Sequence, residues 1–189
     1  MVSRIKYSYA RPGELRRHYL NERDVQVLLD RLPTEVCSRL RAVHFNDRSR
    51  GVRMLGYVNR GRREIAICAL PPNVSLTRFN VRRSPRQFGA IRGLQWPERA
   101  VRRFLLYDVF LHELGHLQIV DAKATSVRRR FAGETKAKQF ADHWRAKLWS
   151  EYFEHADPIH NRPTEVELDL LEHELQLGQE SRAVAMARI

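Results

Sequence analysis

The feature that most constrains this chain is the run FLLYDVFLHELGHLQIV at 104–120, which is apolar on nearly every side when wound as a helix. Such a helix belongs inside a protein. Yet it carries His112, Glu113 and His116 within five residues. Burying three ionisable side chains is costly unless they share a partner. Residues four apart lie one turn above each other, so His112 and His116 can both direct ring nitrogens at a single ion. Glu113 is carried to the flank of that ion, within reach of a water but not of the ion itself. Zinc bound between the histidines brings the pKa of such a water to about 7, and Glu113 is placed to take its proton. The plainer reading is two core histidines and a solvated glutamate. Gly115 weighs against it, because a mid-helix glycine costs about 1 kcal/mol relative to alanine and suggests close approach by another backbone.

Pro97 suits the first turn of this helix and Glu98 its positive end, so the sequence predicts a helix over 97–120. Catalytic zinc takes a third protein ligand. The candidates downstream are Asp121, Glu134, Asp142, His143, His155 and His160. A second helix is predicted from Gly133-Glu134 to about Phe153, with Ala137, Phe140, Ala141, Trp144 and Leu148 on one face. Glu134 falls at the edge of that face and His143 on the opposite side, at about 100° per residue. A carboxylate on a buried face needs a partner, so Glu134 is the expected third ligand. A glutamate in a first helical turn also has a plain dipole explanation. Asp121 stands five residues after His116, where zincins that continue the motif use the sixth and place glycine at the third; here those positions are Ala122 and Ile119.

HELGH followed by ETKAKQFA resembles the gluzincin type of HExxH metallopeptidase, and is most similar to the ImmA/IrrE-like branch. The second motif of that branch runs Glu-x-x-Ala-x-x-Phe-Ala, matched here by Glu134, Ala137, Phe140 and Ala141. The match covers about 110–150 and departs from the pattern at Lys138. The resemblance implies a zinc peptidase with His112, His116 and Glu134 as ligands and Glu113 as general base. It further implies that strand 64–70, upstream of the metal helix, lies beside an extended substrate and pairs with its backbone. Asp108 is placed to orient His112. Tyr152, His155 and His160 are the candidate donors to a developing oxyanion.

The remainder reads as a small mixed fold. Residues 1–20 look like a basic arm. Asn21 caps a helix over 22–32, Pro33 interrupts it, and a short helix continues to about Leu40. AVHF, VRMLGYV and EIAICAL read as strands, with 52–58 and 64–70 forming a hairpin across the Asn59-Arg60-Gly61-Arg62 turn. The segment 71–96, with Arg78, Phe79, Arg82, Arg83, Arg86, Phe88 and Arg92, is long and without period, and is expected to rim the cleft. A last amphipathic helix covers 164–177, and the tail from 180 is expected to fray.

Charge is uneven: residues 1–110 hold 23 Lys+Arg against 9 Asp+Glu, and the rest hold 11 against 13. A basic half can bind nucleic acid, but it lacks interleaved aromatics, so solvated arginines are the simpler reading. No apolar run approaches the ~20 residues of a membrane span. Cys37 and Cys68 read as reduced core thiols. The expectation is therefore one α+β domain over 1–189, a cytoplasmic, zincin-like metallopeptidase. A short antiparallel sheet packs on the HExxH helix and on the helix carrying Glu134. The cofactor is Zn2+ and the partner a peptide or protein substrate. The alternatives are a nucleic-acid-associated zinc protein and a metal-binding scaffold without turnover.

Overall fold

A computed structural model of the chain describes residues 5–49, 54–72, 76, 84–92, 94–119 and 127–186, with backbone alone at 127–130 and 177–186. Expectations that fell on Arg78, Phe79, Arg82, Arg83, Asp121 and Ala122 lie outside the described residues. The fold is α+β. Strand β1 (Lys6–Tyr9) leads through α1 (Glu22–Asp30) and α2 (Thr34–Cys37) to β2 (Ala42–Asn46), β3 (Gly56–Asn59) and β4 (Glu64–Cys68). A 3-10 turn (Pro85–Phe88) precedes a long helical rod made of α3 (Glu98–Phe104), a π-helical stretch (Leu105–Phe110) and α4 (Leu111–Gln118). Then come α5 (Val127–Ser150), a 3-10 turn (Pro158–His160) and α6 (Glu165–Met186).

Local sequence explains several of these boundaries. The Asn21 side chain accepts from the Asp24 N–H while Asp24 accepts from the Asn21 N–H, a reciprocal cap that starts α1. Val25, Leu28 and Leu29 of α1 then meet Val43 and Phe45 of β2 and Ile65 and Ile67 of β4 in one core. The rod runs through that core, with Leu105, Leu106, Tyr107, Phe110 and Leu111 fully buried.

The sheet order is β1-β2-β4-β3. The expected hairpin is present, with Tyr57 opposite Ala66 and Val58 opposite Ile65. The expectation of an antiparallel sheet needs correction, because β1, β2 and β4 run parallel and β3 alone is antiparallel. The crossover through α1 and α2 supplies the connection that parallel β1 and β2 require, and β2 runs parallel to β4 because the hairpin places β3 on the far side of β4. Strand β4 is consequently paired on both sides and has no free edge for a substrate strand; the outer strand on that side is β3.

Three further expectations change. The stretch 5–20, expected as part of a basic arm, joins the fold: Ile5, Tyr7 and Tyr9 alternate with Lys6 and Ser8, β1 pairs with β2, and Arg17 bridges to Leu70. Phe88 does not rim a cleft but lies in the core, edge-on to Phe104 and Trp149. Arg86 beside it pairs with Glu165 and Glu172 on α6. The tail read as frayed from 180 continues α6 to Met186. Among the described residues no helix is long and apolar enough to cross a membrane. Cys37 and Cys68 are free and buried, and burial pushes both thiols up to about 11, so neither is a reactive thiolate.

Candidate metal centre

Helix α4 delivers His112 and His116 on one face, and α5 crosses that face closely enough to add Glu134. Gly115 permits the crossing. A Cβ there would stand 3.0 Å from the Ala137 carbonyl oxygen and 3.0 Å from the Phe140 ring. Ala137 and Ala141 are fully buried against α4, and Leu148 continues their face. Glu134 was expected near the start of α5 on a buried edge. Instead α5 begins at Val127, so Glu134 is interior to the helix and the dipole explanation for it falls away. Its side chain is 62% exposed and reaches the histidines from the open side.

The three side chains share one small space. The Nε2 atoms of His112 and His116 are 3.1 Å apart. Glu134 Oε2 is 3.2 Å from His112 Nε2, and Glu134 Oε1 is 3.3 Å from His116 Nε2. Ligands bound at 2.0–2.1 Å around a tetrahedral ion stand about 3.3 Å from one another, so these spacings trace three corners of such a shell. With hydrogen on both Nε2 atoms, each ring can donate to a Glu134 oxygen, but the two N–H groups are then left 3.1 Å apart; with hydrogen on only one, the other ring's lone pair faces a carboxylate lone pair. A cation satisfies all three contacts together, and the trio is a group that can hold a metal ion.

Glu113, next to His112 on α4, is 9% exposed. Burial, reinforced by the negative charge of Glu134, pushes its carboxyl up to about 7, while Arg60 pulls the other way. His116 is held below the ordinary imidazole range, chiefly by burial and against the attraction of Glu134.

One participant escaped the sequence reading. Arg60, in the turn after β3, donates from Nη2 to His116 Nδ1 at 2.8 Å. Nothing near Arg60 signals this role, because the contact spans 56 residues. The Asn59-Arg60-Gly61-Arg62 turn marks only a chain reversal.

The other candidates have partners of their own. Asp108 Oδ1 accepts from Arg145 at 2.7 Å, and Asp142 accepts from Arg145 and from Lys138. His143 is exposed and sits edge-on to Trp144. Tyr152 is almost wholly exposed, and its hydroxyl donates to Glu154. His155 and His160 stack edge-to-face in the loop after α5. There the His160 carbonyl accepts from Tyr107, and the His155 ring accepts from the Asp157 N–H. No family model, curated protein or solved structure matches the chain.

Proposed function

We propose that the chain is a zinc-dependent peptidase with a zincin-like arrangement, hydrolysing peptide bonds in unfolded or extended segments. The observation that supports it best is the convergence of two imidazole nitrogens and a carboxylate at 3.1–3.3 Å, with a buried carboxyl beside them. Two nitrogens and one carboxylate oxygen are a donor set that zinc accepts while keeping a fourth position open. Zinc held there supplies Lewis acidity to a carbonyl oxygen and acidity to a water.

The protein's own groups perform the rest. Glu113 takes a proton from the attacking water at its carboxylate. It then returns that proton to the amine nitrogen as the C–N bond breaks. In the metal-free protein burial raises the Glu113 carboxyl, which favours its holding a proton, while a bound cation would draw it back down. Extended substrate pairs along β3, the outer strand next to α4. The nucleic-acid alternative is less well supported. Arg16, Arg17, Arg86, Arg99, Arg102 and Arg103 of the basic half are each paired with a carboxylate of this chain.

The test is digestion of an unfolded protein by the purified chain, with zinc content measured by mass spectrometry. Chelation should abolish cleavage and zinc should restore it. Glu113→Gln should keep the metal and lose the cleavage. Full cleavage by Glu113→Gln would sink the mechanism, and zinc without turnover in the wild type would leave a metal-binding scaffold.

A further inference from the structure

A histidine that ligates zinc through Nε2 ordinarily donates its Nδ1–H to a carboxylate, a carbonyl or a water. His116 has the reverse arrangement. Its Nδ1 faces Arg60 Nη2 at 2.8 Å, and a guanidinium has five donors and no acceptor. A neutral imidazole carries one hydrogen, so an Nδ1 that accepts from Arg60 leaves that hydrogen on Nε2. Nε2 is the atom aimed at His112 and Glu134. With hydrogen on it, it has no lone pair for a metal. Charge acts in the same direction, because a guanidinium against one ligand ring repels a divalent cation on the ring's far side.

We propose that Arg60 is a positioning residue that restrains metal loading: it keeps His116 in the tautomer that cannot ligate, and a metal binds only as the guanidinium leaves Nδ1. During loading one proton leaves Nε2 to water and one is taken up at Nδ1 from water, so the ring keeps a single hydrogen throughout. Room for the departure exists on α5. Gly133 has no side chain to fill the space beside the guanidinium, and even an added Cβ would stand 3.9 Å from Nη2. The inference rests on the metal-site reading above, but not on peptide hydrolysis.

The test measures zinc affinity by chelator competition for the wild type, Arg60→Met and Arg60→Gln, together with long-range proton–nitrogen NMR of the histidine rings. The metal-free wild type should show His116 with hydrogen on Nε2, and the zinc-loaded protein should show it on Nδ1. Arg60→Met should bind zinc about tenfold more tightly than the wild type, in the range of outer-partner effects. Arg60→Gln should bind more tightly still, because its amide oxygen can accept the Nδ1 hydrogen. Equal gains for Met and Gln would reduce the effect to charge and overturn the tautomer claim. So would hydrogen already on Nδ1 in the metal-free protein. Equal affinity in all three proteins would remove Arg60's role and leave the metal site standing, whereas no zinc binding by any of them would remove both.

Discussion

The two ends of the rod formed by α3, the π-helical stretch and α4 both gather ionisable side chains, but in opposite ways. Near its start Arg103, 1% exposed, donates to Glu167 at 2.8 Å and to the Pro158 carbonyl at 2.8 Å, while Arg99 holds the same Glu167 at 2.7 Å. Opposite charges there pair directly, although the buried Arg103 Nε has no hydrogen-bond partner, and the cluster ties α6 to the rod. Near its far end His112, His116 and Glu134 bring two ring nitrogens to 3.1 Å of each other beside one carboxylate, a contact that hydrogen bonds to Glu134 leave unmatched. A buried cluster of paired opposite charges reads as architecture. One that presses two ring nitrogens together beside a half-open carboxylate, and that a cation would satisfy, reads as a binding site.

That contrast can be broken by exchange. His112→Ala should weaken zinc binding at least about a hundredfold, beyond what loss of an outer partner costs, while leaving the metal-free thermal midpoint nearly unchanged. Glu167→Ala should do the opposite. It strands a buried arginine at a cost of about 3–5 kcal/mol, read as a lower denaturant midpoint, with zinc affinity intact. If Glu167→Ala abolished zinc binding instead, the two clusters would be one cooperative unit. A smaller effect sharpens the geometry. Gly115→Ala gains about 1 kcal/mol of helix propensity but forces α5 away from α4, for a net loss of about 1–2 kcal/mol. It should also weaken zinc binding by moving Glu134 off the histidines.

The smallest effect is in pH. Glu113 binds its proton more tightly folded than unfolded, with the folded value near 7. Its contribution to the stability of the metal-free protein is therefore intact below about 4.5 and is lost as pH rises through 7. His116, held low, acts in the opposite sense, gaining stability as pH rises towards its ordinary value. The clean observable is the difference between Glu113→Gln and the wild type in urea melts. It should grow in favour of the variant between pH 4.5 and 7 and be flat on either side.

Much of the site could be read from the sequence because helical spacing is local. His112, Glu113 and His116 follow from a four-residue period, and Glu134 from the apolar face of Ala137, Phe140 and Ala141. The exposure of Glu134 could not be read that way, because Gly133 resembled a helix start and hid the preceding turns of α5. Strand β1 was masked by basic composition, although Ile5, Tyr7 and Tyr9 alternate. Sheet direction depended on where α1 and α2 carry the chain and on which side of β4 the hairpin puts β3, which no strand encodes by itself. Arg60 was out of reach for the same reason, as its partner lies on another element.

The π-helical stretch at Leu105–Phe110 has a consequence for counting along the rod. Its bonds span five residues where an α-helix spans four, so one residue is taken up without turning the helix beyond it. Ruled as a uniform spiral, 98–118 comes out a residue out of phase, and the two imidazoles are drawn about 100° from where they are. Whether the histidines look towards α5 is thus decided partly by how many residues precede them, not only by which ones.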